Sequence, residues 1–137
     1  MSLKILTYGT FDVFHYGHER ILERASELGR EFFVGVSTDA FNEVKGKKAF
    51  DCYEKRVESV RRFCPTAVIF EETSFDQKAN DINRFGINYL VMGDDWKGKF
   101  DCFKDLCSVK YLSRTDGISS TMIRQNLMLR GQVSLNN

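Results

Sequence analysis

The sequence is short of several residue types, and each shortage excludes something. It has 2 histidines, 1 proline and 1 tryptophan in 137 residues. Its 4 cysteines (Cys52, Cys64, Cys102 and Cys107) form no C-x-x-C pair. With both histidines close together elsewhere, neither a zinc site nor a disulfide framework is indicated, and free thiols in a reducing compartment are expected. No apolar run approaches the length of a bilayer span. The N-terminus reaches polar Thr7 too soon for a signal-peptide core, so a cytoplasmic protein without membrane association is expected. The net charge is only +1, and there is no basic field of the kind that recruits nucleic acid. Repeats and low-complexity stretches are absent.

What remains is a chain of a length that suits one domain, residues 1–137, with a loose tail over about 129–137. Short apolar runs alternate with helical patterns. Strands are expected at Lys4–Thr7, Glu31–Ser37, Thr66–Phe70, Tyr89–Met92 and Val109–Leu112. Helices are expected at Gly17–Leu28, Tyr53–Phe63 (ended by Pro65), Asp76–Phe85 (stopped by Gly86) and from Ser119 to about Leu129. Thr38–Ala49 reads as a polar connection, and Phe103–Leu106 as at most a short helix. This alternation predicts an α/β protein, a Rossmann-like open parallel sheet with helices on both faces. Ligands of such sheets bind beyond the carboxyl ends of the strands.

The unusual polar segments all follow strands. The first is Gly9-Thr10-Phe11-Asp12, followed by His15-Tyr16-Gly17-His18. It sits at a strand-to-helix junction, where unpaired backbone N–H groups and the helix dipole favour an anion. His15 and His18, three residues apart, can face one point and donate to a phosphate oxygen. Gly17 permits close backbone approach, and Asp12 can orient a group or act as a local cap. The second is Lys45-Gly46-Lys47-Lys48, whose lysines can reach phosphates as mobile charges or be plain surface charge. The third is Gly93-Asp94-Asp95-Trp96, suited to hydroxyl or amino groups beside a ring, or to a polar turn with a packed aromatic. The last is Arg114-Thr115-Asp116-Gly117-Ile118-Ser119-Ser120-Thr121; its hydroxyls cap a helix or bind an anion, and Arg114 adds a bidentate donor. Walker A and G-x-G-x-x-G loops are absent. No side chain reads as a nucleophile, so direct attack of one phosphate on another, aided by positioning and charge, is the expected chemistry.

These residues resemble the cytidylyltransferase branch of the HxGH nucleotidyltransferase superfamily and, within it, the bacterial glycerol-3-phosphate cytidylyltransferases. The resemblance runs from about Lys4 to Leu127. It takes in Ser37-Thr38-Asp39, the Lys45–Lys48 lysines, Tyr53-Glu54 with Arg56, Gln77-Lys78, Met92-Gly93-Asp94-Asp95-Trp96 with Gly98-Lys99-Phe100-Asp101, and Arg114-Thr115. The H-x-G-H and I-S-x-T elements are shared with adenylyltransferases; the runs around Trp96 and Arg114 are narrower signals. The resemblance implies an enzyme that joins CTP and sn-glycerol 3-phosphate into CDP-glycerol and pyrophosphate with Mg²⁺, in a homodimer, for teichoic acid or capsule synthesis. It implies catalytic roles for His15, His18, Lys47 and Arg114. Nucleotide contacts are implied for Gly9, Thr10, Phe11, Asp12, Tyr16, Gly17, Asp94 and Thr115 to Thr121 (Asp116, Gly117, Ile118, Ser119 and Ser120 between), and acceptor contacts for Lys45, Lys78, Asp94, Trp96 and Arg56. No dedicated metal cage is evident, and Mg²⁺ is expected to ride mainly on the triphosphate. Related transferases acting on phosphocholine, phosphoethanolamine, a sugar phosphate, pantetheine phosphate or flavin mononucleotide remain the alternatives, together with a non-catalytic nucleotide sensor on the same fold.

Overall fold

The computed structural model describes residues 3–113. Within them the elements run β1 (Lys4–Gly9), α1 (Tyr16–Ser26), β2 (Glu31–Ser37), α2 (Asp39–Val44), α3 (Tyr53–Phe63), β3 (Val68–Glu72), α4 (Gln77–Phe85), β4 (Tyr89–Gly93) and β5 (Ser108–Leu112). Single 3₁₀ turns occupy Asp94–Trp96 and Asp101–Phe103. The strands form one parallel sheet in the order β3-β2-β1-β4-β5. The chain therefore moves outward from β1 to β3 and returns to the other side of β1 for β4. That reversal places the switch point between β1 and β4.

The central strands are apolar on both faces because both are covered. On one side Ile5, Val34, Val36 and Val91 pack with Leu22 and Ala25 of α1 and Val60 of α3. On the other, Leu6, Tyr8, Phe33, Leu90 and Met92 pack with Ile82 of α4 and with Phe100 and Phe103 from the β4–β5 connection. Full burial of one such side chain contributes about 1.5–3 kcal/mol. Gly35 in β2 is required by packing: a Cβ there would lie 2.5 Å from Cδ1 of Tyr8. Gly86 ends α4 in the left-handed conformation, with φ of 65°.

The expected fold class is the one observed. The expected boundaries of the β2 strand and the Tyr53–Phe63 helix coincide with the structure. Three expectations are corrected. The first strand continues through Tyr8 to Gly9, since its pairing with β2 runs to Gly9 opposite Val36. The connection after β2 is not plain loop: Thr38 caps α2 by accepting from the Phe41 N–H, and Phe41 and Asn42 are buried. The third strand also lies later than expected, at Val68–Glu72, because it is in register with Phe33–Ser37 of β2. The helix expected from Ser119 lies outside the described residues. No helix among the described residues is long and apolar enough to cross a membrane.

Candidate active site

The carboxyl ends of the strands open into a cavity of about 600 Å³. Its floor is the junction between β1 and α1. Phe11 and Val13 hold positive φ values of 55° and 46° there, a conformation that costs a bulky residue about 1–3 kcal/mol. Surrounding contacts hold the turn in place. Both side chains are buried, and Asp12 accepts from the backbone N–H groups of Phe50 (2.8 Å) and Asp51 (2.9 Å). Gly9 is needed because a Cβ would meet the Phe11 ring at 2.8 Å.

The turn delivers the two histidines as a capping box. His15 is the N-cap of α1, and its Nδ1 accepts from the Gly17 N–H at 2.9 Å. His18 reaches back, and its Nδ1 accepts from the His15 N–H at 3.2 Å. Serine or threonine with glutamate ordinarily fills these roles. An Nδ1 that accepts a backbone proton carries none of its own, so the neutral ring must be protonated at Nε2. Each imidazole is thereby fixed as an Nε2–H donor. The rings stack with centroids 4.0 Å apart, and His18 also packs on Phe14 and Phe11. Burial, with a smaller contribution from His15, pushes the His18 pKa down to about 3, and burial also lowers that of His15. The site thus holds two neutral, pre-oriented donors rather than two cations.

A stability prediction follows. Between the ordinary histidine pKa of about 6.5 and the depressed folded values, the unfolded chain binds protons that the folded chain does not. Stability therefore falls as pH drops through that window and is regained as it rises. The slope contributed by each histidine is at most about 1.4 kcal/mol per pH unit. Urea midpoints measured at pH 7 and pH 5 should show a smaller acid loss in His18→Asn than in the unsubstituted protein. An equal loss in both would refute the assignment.

Lys45, Lys47, Lys78 and Lys99 bring positive charge to the cavity walls. The Lys45 ammonium lies 4.6 Å from the centroid of Phe41, and that of Lys47 lies 5.7 Å from Trp96. Partial burial is the largest influence on Lys45 and lowers its pKa, Glu72 works in the opposite direction, and Lys47 and Lys78 add to the lowering. Lys78 is buried, forms a 2.6 Å ion pair with Glu72, and stands 4.6 Å over the Tyr8 ring. Tyr8 in turn donates to Asp81 at 2.7 Å, and Gln77 donates to the same oxygen at 2.9 Å. Burial and the adjoining Asp81 carboxylate hold the Tyr8 phenol in its protonated form.

The structure brings together most of the residues expected from sequence. Gly9, Thr10, Phe11, Asp12, His15, Gly17, His18, Lys45, Lys47, Lys78, Asp94 and Trp96 all line this one cavity. Arg114 to Thr121 lie outside the described residues. Leu112, at the end of β5, is part of the cavity wall.

Tyr16 is not among the lining residues and begins α1 with 53% of its surface exposed. One expectation is corrected. Arg56 is not available to an acceptor, because it is completely buried. Its Nε donates to the Asp51 carbonyl (3.0 Å), Nη1 to the carbonyls of Thr10 (2.9 Å) and Ser37 (2.7 Å), and Nη2 to Asp39 (2.7 Å). It ties the histidine turn to the end of β2 and to the start of α2. Sequence reasoning also missed Glu72 and Phe75, and quoted Met92 and Lys99 without giving either a role; all four line the cavity. Glu72 and Met92 end or nearly end strands, and that position in a parallel sheet was the available signal.

Comparison with known proteins agrees with this geometry. The cytidylyltransferase-like family model matches residues 6–126. The glycerol-3-phosphate cytidylyltransferase of Bacillus spizizenii is 48% identical over 124 residues, covering 90% of this chain and 96% of the relative. That of Staphylococcus aureus is 44% identical over 124 residues, covering 90% and 94%. Among solved structures, the lipopolysaccharide core biosynthesis protein of Thermoplasma volcanium superposes with a TM-score of 0.74 at 17% identity, over 85% of this chain and 100% of that one; this likeness concerns the fold. A parallel sheet with its switch point beside β1, a histidine capping box on the cavity floor and this pattern of relatives lead to one conclusion: the chain belongs to the cytidylyltransferase-like family, among the glycerol-3-phosphate cytidylyltransferases.

Proposed function

We propose that the chain transfers the cytidylyl group of CTP to sn-glycerol 3-phosphate, giving CDP-glycerol and pyrophosphate. The observation that carries this reading is the pair of neutral Nε2–H donors on the floor of a lysine-walled cavity. An acceptor phosphate oxygen attacks the α-phosphorus of CTP in line. The bond to the α–β bridging oxygen breaks, and pyrophosphate leaves with its electron pair. No proton needs to be abstracted, since a phosphate oxygen is already anionic.

His15 and His18 donate to the α-phosphate and the bridging oxygen, where negative charge accumulates. Their neutrality suits this role, because a neutral donor held by the backbone needs no reorganisation during the reaction. Lys47, with Arg114 from beyond β5, stabilises the departing pyrophosphate; Lys45 and Lys78, after β2 and β3, take the acceptor phosphate. Asp94 and Trp96, after β4, lie beside the nucleotide. Among the described residues, no group of three or more His, Cys, Asp or Glu side chains is placed to hold a metal ion. Mg²⁺ bound to the triphosphate would offset its charge. The reading includes a homodimer working in the cytoplasm, with CDP-glycerol serving teichoic acid or capsule synthesis.

Pyrophosphate release with CTP or ATP, each against glycerol 3-phosphate or phosphocholine, tests the proposal. Release is expected only with CTP and glycerol 3-phosphate. Preference for another pair would reassign the substrates, and no release with any pair would favour a nucleotide-binding role.

A further inference from the structure

The acceptor side of the cavity contains a carboxylate as well as lysines. Glu72 is the last residue of β3, is 4% exposed and lines the cavity. Its backbone is pinned, since it pairs with Ser37 and its carbonyl accepts from the Thr38 N–H at 3.0 Å. Its side chain takes the Lys78 ammonium at 2.6 Å through Oε2. A buried carboxylate beside a phosphate site is at first sight a poor choice, because it repels the anion. The other cavity carboxylates are placed differently: Asp12 is bound to the backbone of Phe50 and Asp51, and Asp94 and Asp95 follow β4 on the opposite side of β1.

We propose that Glu72 determines acceptor specificity by accepting hydrogen bonds from the hydroxyl groups of the glycerol moiety while Lys78 holds the adjoining phosphate. This rests on the assignment of glycerol 3-phosphate as acceptor. The geometry suits one molecule bound at two points. An ammonium has three donors, so Lys78 can bind Glu72 and a phosphate oxygen together. With tetrahedral directions and a bond of about 2.8 Å, that phosphate oxygen would stand about 4.4 Å from the Glu72 oxygen. The gap keeps the two anions out of contact and leaves room for a hydroxyl one carbon beyond the phosphate-bearing carbon to point at Glu72.

Charge selects the same partner. Lys78 pairs directly with Glu72, and Lys45 feels its field. The carboxylate is therefore already matched by two cations, and a third on the acceptor, such as an ammonium, would be repelled by both lysines. A neutral hydroxyl donor meets no such penalty. A site built to bind a hydroxyl discriminates strongly against an analogue that lacks it, since the buried acceptor is then left unpaired.

The test compares kcat/KM for glycerol 3-phosphate with kcat/KM for n-propyl phosphate, which keeps the phosphate and three carbons but has no hydroxyl. The ratio is measured with CTP in the unsubstituted enzyme, Glu72→Gln and Glu72→Ala. Glu72→Gln keeps the shape and a partner for Lys78, so it provides a folded variant if Glu72→Ala does not fold; an unchanged Kd for CTP verifies the site. The ratio is expected to fall about tenfold in Glu72→Gln and up to about a hundredfold in Glu72→Ala. If both substrates lose activity equally and the ratio stays constant, Glu72 merely positions Lys78 and the proposal is overturned. If the unsubstituted enzyme turns over CTP with n-propyl phosphate as well as with glycerol 3-phosphate, the proposal also fails while the acceptor assignment stands. If it binds CTP but transfers nothing to glycerol 3-phosphate, the acceptor assignment itself fails, and the role of Glu72 falls with it.

Discussion

Replacing His15 or His18 by asparagine is expected to lower kcat by about 10²–10³ while leaving the fold intact. The asparagine carboxamide oxygen occupies the place of Nδ1 and can accept the same backbone N–H, from Gly17 in the first case and from His15 in the second. Asparagine is also among the best N-cap residues, so helix α1 retains its start. What disappears is the Nε2–H group that reaches into the cavity. Glutamine at position 15 is the complementary change. Its amide can reach the position of Nε2, but it gives up the cap, so it should retain more activity and lose about 1 kcal/mol of stability. Rates and urea midpoints for the two variants therefore move in opposite senses. Near-normal kcat in His15→Asn and His18→Asn would show that the rings serve only as caps, and the proposed stabilisation of the α-phosphate would be wrong.

Arg56→Met is expected to destabilise the protein by about 3–5 kcal/mol. Removing the guanidinium leaves the carbonyls of Asp51, Thr10 and Ser37 without their donor and strips Asp39 of its partner. Three of these acceptors are backbone oxygens from separate segments, and each buried one left unpaired costs about 1–3 kcal/mol. Half-exposed Asp39 adds less, because water can replace its partner. Lysine should not rescue the site, since one ammonium cannot reproduce a planar fork that spans four acceptors. Denaturant unfolding checks the magnitude. A loss under about 1 kcal/mol, together with a raised KM for glycerol 3-phosphate, would restore Arg56 as an acceptor ligand, as the family resemblance implied.

Arg56 also shows where sequence reasoning reaches its limit. It stood beside Tyr53 and Glu54 in the family resemblance, which implied an acceptor contact for it. The carbonyls it satisfies come from positions 10, 37 and 51, and nothing local brings them together. Glu72 escaped notice for a related reason: beside Glu71, in a polar stretch, it reads as ordinary surface charge. Only the register of β3 against β2, which sets Glu72 opposite Ser37, turns its side chain inward toward Lys78. The histidine pair was legible because its partners are local. Residues 15, 17 and 18 make the capping box among themselves, and the helix that follows them is set by its own pattern of apolar residues.

The sequence by itself determined the strand–helix alternation, the parallel sheet and the segments that would meet at its carboxyl edge. These depend on periodicity, on glycine and proline punctuation and on short-range spacing, all of which act within a few residues. The tertiary structure decided which charges are available for chemistry. It buried Arg56 as a clamp and paired Lys78 with Glu72. The Arg56 clamp gathers carbonyls from positions 10, 37 and 51, and the Lys78–Glu72 pair closes across the β3–α4 connection where β3 is seated against β2. The environment of a charged group, rather than its identity, fixes its partner and its protonation, and that environment exists only once the chain has folded.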